Sequence, residues 1–231
     1  MRRFWKEVSV AEEERGFRVT LDGRPIKTQG GAPQIVSSQP LAEALAGEWR
    51  AQGEVVDPRS FPMRDMADLA IDRIAPDRPA QITALMRYAE TDTLCYRADP
   101  EEPLFRRQQE LWEPLVREAE ERHGVRFERV SGVVHRPQPA ATMASLRALL
   151  EQQSDFTLAA LATMVPLGAS MIVALAALEK DADPVRLFAA ANGEEDWQTE
   201  LWGADAQATE ARAAREAAFV LAARFAKLAR G

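Results

Sequence analysis

From Phe156 to Leu178 the chain carries no charged residue. A run of that length rivals the ~20 apolar residues of a membrane-spanning helix, so it must cross a bilayer or be enclosed by the rest of the chain. The run is mostly alanine, and Thr157, Thr163, Pro166, Gly168 and Ser170 lie inside it, so its insertion energy is weak. Asp155 on one flank and Glu179-Lys180-Asp181 on the other supply no positive bias. Pro166 and Gly168 predict a break into two short helices. The reading is a buried helical hairpin without membrane insertion, inside a fold large enough to cover it.

The chain has 231 residues, enough for one large domain or two small ones and for a proper core. Its 29 basic and 36 acidic residues give −7, and no segment forms a basic stripe, which argues against a nucleic-acid partner. Cys95 is the one cysteine and has no internal disulfide partner, so the chain suits a reducing compartment. Met1-Arg2-Arg3 passes directly into patterned sequence, with no apolar signal core or long presequence. The expectation is a cytoplasmic bacterial protein, or a mature form already trimmed.

Apolar residues switch period along the chain. Phe4 to Val10 is a candidate strand, and Phe17, Val19 and Leu21 alternate with Arg18 and Thr20. Asp22-Gly23 predicts a type I′ hairpin into Arg24 to Thr28. Gly30-Gly31 marks a second turn before a short strand at Gln34 to Val36. Ser37 and Ser38 are capping candidates before Pro40, and Leu41, Leu45 and Trp49 share one helical stripe that Gly53 stops. Val55 to Pro62 reads as an extended linker.

Beyond Arg64 the pattern is helical. The stripes are Met66-Leu69-Ala70-Ile74, Ile82-Leu85-Met86-Ala89 and Leu111-Trp112-Leu115-Val116, the last ending near Gly124. Val125 to Val130 alternates and predicts a strand or hairpin that rejoins the sheet. Helices follow at Ala140 to Leu150, Pro184 to Ala191 and about Asp205 to Leu228. The fold class is α+β: a small antiparallel β-rich N-terminal domain with one packed helix over 1–62, then a larger helical domain over 63–231.

Catalytic equipment is sparse. His123 and His135 lack partners at metal-ligand spacing, and neither phosphate-loop pattern occurs, so no metal, cofactor or nucleotide is expected. Gly168-Ala169-Ser170-Met171 lacks the second glycine of a nucleophile elbow and reads as close helix packing. Thr91 to Arg97 holds Cys95, Tyr96 and an acid and a base. Asp92 with Arg97 reads as an ion pair, joined by hydrogen bonds from Tyr96 and Thr91 into a structural polar knot. An alternative is an enzyme cleft around Asp92, Tyr96 and Arg97, which would need a shifted Asp92 pKa and a concave pocket. Trp49 and Trp112 read as core. Trp197 and Trp202 lie in an acidic, aromatic segment, Gly193 to Gly203, read as a turn that serves either as core or as a protein-docking patch.

Several motifs in order, Arg2-Arg3-Phe4-Trp5-Lys6, Leu21-Asp22-Gly23-Arg24-Pro25-Ile26-Lys27-Thr28, Glu48-Trp49-Arg50-Ala51-Gln52-Gly53, Thr91 to Arg97, Arg107-Gln108 with Trp112-Glu113-Pro114-Leu115, and Gln198 with Trp202-Gly203, span almost the whole chain. In this order they resemble the F1-ATPase assembly chaperone family that serves the α subunit. The resemblance implies a β-rich N-terminal and a helical C-terminal domain. It also implies an ATP-independent chaperone that is not an enzyme, in the mitochondrial matrix for eukaryotic relatives and the cytoplasm for a bacterial member. Its partner would be the F1-ATPase α subunit, shielded on its subunit-interface surface until the α/β hexamer assembles; a structural adaptor retained in the ATP synthase is a further alternative. Mitochondrial relatives carry an acid shortly after the Trp-Gly pair, in a helix tied to the client. Here Ala204 stands in that stretch, and Asp205 and Glu210 are the acids nearby. Together with Trp197 and Trp202 they are the expected partner-binding residues.

Overall fold

The computed structural model describes residues 2–132 and 135–231. Strands β1 (Val8–Glu13), β2 (Gly16–Leu21) and β3 (Arg24–Pro25) form an antiparallel meander in that order. Asp22 and Gly23 take φ of 49° and 76°, as the predicted two-residue hairpin demands. β1 begins later than the apolar pattern suggests. The Asp22 carboxylate accepts the amides of Lys6 (3.0 Å) and Glu7 (2.8 Å), so ladder pairing starts at Val8, opposite Leu21. Gln34 to Val36 forms no full strand; Val36 makes a single bridge to Phe17. That bridge is close: a Cβ on Gly16 would lie 2.2 Å from the Val36 carbonyl oxygen, so only glycine fits there.

Helix α1 (Gln39–Arg50) is capped by Ser38, whose hydroxyl accepts from the Leu41 amide, with Pro40 in the first turn. Its buried face, Leu41, Ala42, Leu45 and Ala46, packs on β1 and β2. Each fully buried leucine on that face contributes ~1.5–3 kcal/mol. The expected linker is more ordered than its prolines suggest. Pro58–Ser60 makes a 3-10 turn, Phe61 is fully buried, and α2 (Pro62–Leu69) starts at once, continuing through a π turn at Ala70–Ile74.

The remaining elements are α3 (Arg78–Glu90), β4 (Tyr96–Arg97), α4 (Pro103–His123), β5 (Val130–Ser131), α5 (Ala140–Glu151), α6 (Asp155–Gly168), α7 (Met171–Ala176), α8 (Pro184–Ala191), α9 (Gly193–Trp202) and α10 (Ala206–Arg230). β5 does not rejoin the N-terminal sheet. It pairs in parallel with β4 as a separate two-stranded sheet, so among the described residues the larger region is helical apart from this ladder. The charge-free run is buried, with Leu158 to Leu161 and Met171 to Ala174 almost wholly enclosed. Pro166 is accommodated inside α6. The break falls three residues later, at Ala169 (φ 44°) and Ser170, the cap of α7. Among the described residues no helix is long and apolar enough to cross a membrane.

The chain divides into two compact units. One comprises Met1–Arg78, Ser154–Ala160 and Arg224–Gly231; the other comprises Pro79–Gln153 and Leu161–Ala223. The first holds the meander, α1 and α2, with Phe225 and Phe156 paired at 6.4 Å. Ser37 and Ser38 donate to the carbonyls of Ala229 (2.7 Å) and Leu228 (2.5 Å), fixing the last turn of α10. The second is built on Trp112, Val116, Leu146, Leu150, Phe188 and Phe219, all buried.

Candidate functional site

Two clusters in the second unit were legible as candidates, and the structure treats them differently. Asp92 is fully buried. It caps the Thr93–Cys95 turn through the Leu94 amide (3.0 Å) and accepts from the Ser170 hydroxyl (2.8 Å) and the Ile172 amide (2.9 Å). Ser170 in turn accepts from Val173 N (3.1 Å), and Thr93 donates twice to Ala169 O (3.1 and 3.0 Å). The loop after α3 thus clamps the left-handed corner between α6 and α7. Burial raises the Asp92 carboxyl to about 6, against the lowering pull of these hydrogen bonds.

Arg97 does not pair with Asp92. Its Nε donates to Leu94 O (3.2 Å), Nη1 to Gln109 (2.7 Å), and Nη2 lies 3.0 Å from Glu113 on α4. Glu113 also binds Arg117 (2.9 Å) and Arg129 (3.0 Å), and Arg129 reaches on to Glu120. Burial pushes Glu113 up, but hydrogen bonds from Arg117 and Arg129 and the charges of Arg129 and Arg97 outweigh it and hold the carboxyl at about 2. Tyr96 points elsewhere, its hydroxyl 2.8 Å from His135 Nδ1, and Thr91 donates to Arg87 O. The expected single knot is therefore three separate arrangements. The adjacency of Asp92 and Arg97 in sequence misled, because β4 turns the arginine toward α4. Cys95 is buried, and burial and the Asp92 charge push its thiol up, away from the reactive thiolate. With every Asp92 oxygen occupied by protein donors and none of its surface exposed, a substrate has no approach to it.

Gly193 to Trp202 is a helix, α9, and not a turn. Its acidic first turn, Glu194-Glu195-Asp196, favours the positive end of the helix dipole. Arg212 pairs with Asp196 (2.7 Å) and Arg215 with Glu195 (2.5 Å), bracing α9 against α10. On the α4 side Arg107 forks onto Glu200 (2.6 and 2.7 Å) with its guanidinium 5.6 Å from the Trp197 ring centre. Trp197 is thus half-buried under Arg107. Trp202 is not: it is 78% exposed, beside Leu201 at 56%. Gly203 (φ 90°) turns the chain, and every residue from 201 to 210 is exposed. Asp205 caps α10 by accepting from Ala208 N (2.8 Å), and Glu210 is exposed on the second turn, with no ion pair among the described residues. Trp202 and Asp205 therefore flank one exposed connection, with Glu210 a turn further along α10, and three arginine–carboxylate pairs brace α9.

Sequence reasoning missed a groove of about 760 Å³ along α4, floored by Leu111, Pro114, Leu115, Leu187 and Ala190. The signal was present. The stripe Leu111-Trp112-Leu115-Val116 is too wide for one core face; Trp112 and Val116 are buried while Leu111 remains exposed. Gly193 closes one end, where a Cβ would stand 3.1 Å from Leu111. Trp112 donates its indole N–H to Ala190 O (2.7 Å), fixing α8 beside α4.

Comparison with known proteins bears on what this surface is. The ATP12 chaperone protein family matches residues 2–120. The mitochondrial Atp12 protein of Schizosaccharomyces pombe is 28% identical over 214 residues, 87% of this chain and 74% of that protein. The crystal structure of Atp12 from Paracoccus denitrificans superposes with a TM-score of 0.94 at 38% identity, covering 99% of this chain and 98% of that one. A structure from Agrobacterium tumefaciens gives a TM-score of 0.91 at 39% identity, covering 97% and 84%. The match extends through both units and through α9 and α10, and the chain belongs to the ATP12 chaperone family.

Proposed function

We propose that this protein is a nucleotide-independent assembly chaperone that binds the α subunit of the F1-ATPase and shields its subunit-interface surface until the α/β hexamer forms. The observation that carries this reading is the end of α9. An exposed tryptophan and leucine stand on a braced helix, followed by the accessible acids Asp205 and Glu210. Aromatic anchors on rigid supports dominate protein-interface energies, and the flanking charges set register and association rate. The groove along α4 extends the apolar area available to a client. A subunit destined for an obligate interface exposes an apolar patch while alone, and covering it suppresses misassembly. Release then needs only a competitor, the β subunit, that binds the same client face more tightly. No bond is made or broken, and no nucleotide is required.

The test is light scattering of isolated α subunit, with and without an equimolar amount of this protein and without nucleotide. The expected result is suppression of aggregation that an unrelated acidic protein does not reproduce, reversed by β subunit with formation of hexamer. Absence of both suppression and a complex on a sizing column would refute the reading. Finding the protein in stoichiometric amount in the finished ATP synthase would replace the chaperone with a structural adaptor.

A further inference from the structure

We infer that the first unit carries a recognition site of its own: a cationic, aromatic groove that takes an acidic peptide segment with an aromatic anchor. The groove holds about 330 Å³ and is lined by Phe4, Ile26 and Trp49 with Arg24, Lys27 and Arg64. That volume accommodates one large side chain and its flanking backbone. The occupant's charge follows from the wall. Three cations and one acid, Asp68, line it in a chain whose net charge is −7, and even with Arg64 paired to Asp65 the exposed Arg24 and Lys27 leave the wall positive. Asp68 is also turned inward, accepting from Gln29 N (3.0 Å) and Gln34 Nε2 (2.5 Å), so little of its charge answers the cations.

The cations are positioned differently, and the difference fits recognition. Arg64 is held: its guanidinium lies 4.4 Å from the Phe61 ring centre and 6.0 Å from that of Trp49, with Asp65 at 2.7 Å. Arg24 and Lys27 are exposed beside the meander edge and, among the described residues, make no salt bridge. An anion entering the groove therefore meets two exposed, unpaired charges, Arg24 and Lys27, beside a guanidinium that Asp65 and the rings hold in place. The aromatic side is likewise preset. Phe4, Trp5, Trp49 and Phe61 form a row with ring centres 5.2, 5.1 and 4.6 Å apart, and Phe4 at its open end is 63% exposed. An incoming ring extends that row edge to face, while adjacent carboxylates meet the cations. A nucleic acid would need a longer cationic track than three side chains, so the observations favour a peptide.

The experiment is fluorescence anisotropy on the full chain with a short labelled peptide of aspartates around one phenylalanine. Its asparagine twin and a single-stranded oligonucleotide serve as comparators. The acidic peptide is expected to bind, to weaken with added salt, and to lose about tenfold in affinity in the double variant Arg24→Gln with Lys27→Gln. Phe4→Ser is expected to weaken it several-fold with an unchanged melting temperature, because all three side chains are exposed. Equal affinity for the acidic and amide peptides, indifference to the double variant, or preference for the oligonucleotide would each overturn the inference. None of these outcomes depends on the α subunit, so this site and the chaperone reading stand or fall separately.

Discussion

The second unit sets acids beside aromatic or aliphatic residues twice, and puts the two sets to opposite use. Around residues 92–97 the acid is enclosed and every oxygen has a donor. Around residues 201–210 the acids and Trp202 face solvent, while the nearby arginines are engaged by acids further up α9. Composition does not separate these segments; satisfaction does. A polar group with all its partners inside the chain fixes the chain's own shape. An apolar ring with none, on a helix that several ion pairs keep still, is available to another molecule. The two regions should therefore respond differently to substitution, the first in stability and the second in binding.

The largest effect is expected at Asp92. Replacement by alanine orphans the Leu94 and Ile172 amides and the Ser170 hydroxyl, at ~1–3 kcal/mol for each buried donor left unpaired. A loss of about 4 kcal/mol, or roughly 10 °C in the thermal midpoint, should appear by calorimetry. The α-subunit affinity of the fraction that remains folded should not change; a midpoint that stays put would show that the clamp is dispensable.

The same residue sets a pH signature. Its carboxyl is raised from 3.8 to about 6 on folding, so between those values the folded state binds more protons than the unfolded. Stability contributed this way is present at the acid end of the window and lost as pH rises through it. Burial also raises Glu48 and Asp68, with the same sign. Glu113 acts oppositely: held at about 2, it adds stability that is lost as pH falls below its ordinary 4.5. In Asp92→Asn the decline toward pH 6 should flatten while the acid limb from Glu113 persists. Denaturant titrations across pH read both limbs, and an unaltered upper slope would mean that Asp92 does not titrate in the window.

How much of this was legible depended on how local the determining contact is. Asp22-Gly23, the stop at Gly124 (φ 63°) and the start at Pro184 are decided by backbone preferences within a few residues, and sequence reading found them. The partner of Arg97 is sixteen positions away on another helix, and nothing in residues 91–97 announces Glu113. The strand at Val130 was visible as alternation, but its mate was not, because parallel pairing needs no turn signal. α9 was misread despite an acidic first turn, since its mixed face, with few buried positions, hides the helical period. The exposed character of Trp202 could not be read at all: a tryptophan is an anchor in either setting until the neighbouring surface is known.

Within the exposed region the larger effect belongs to Trp202. Its truncation to alanine removes an exposed ring and should change stability by less than ~0.5 kcal/mol. If it anchors the client, binding should weaken by roughly 2 kcal/mol, about thirtyfold. Isothermal titration against the α subunit reads this directly, and wild-type affinity in the variant would move the client surface to the α4 groove, with Leu111→Ser as the next substitution.

The smallest effect is the sharpest discriminator. Asp205 and Glu210 both follow Trp202, but only Asp205 has an internal duty, as the cap of α10. Asp205→Ala should cost about 1 kcal/mol of stability whatever it does to binding, so its effect on the client mixes two causes. Glu210 has no such contact among the described residues, and Glu210→Lys should leave the melting temperature within a degree or so of wild type. A rim charge acts mainly on encounter, so its reversal is expected to slow association with the α subunit a few-fold at low salt and to lose that effect at high salt. Slowed association without lost stability would show that acids beyond the Trp-Gly pair serve the client. An unchanged association rate would leave Trp202 and Leu201 as the whole of the contact at this end of α9.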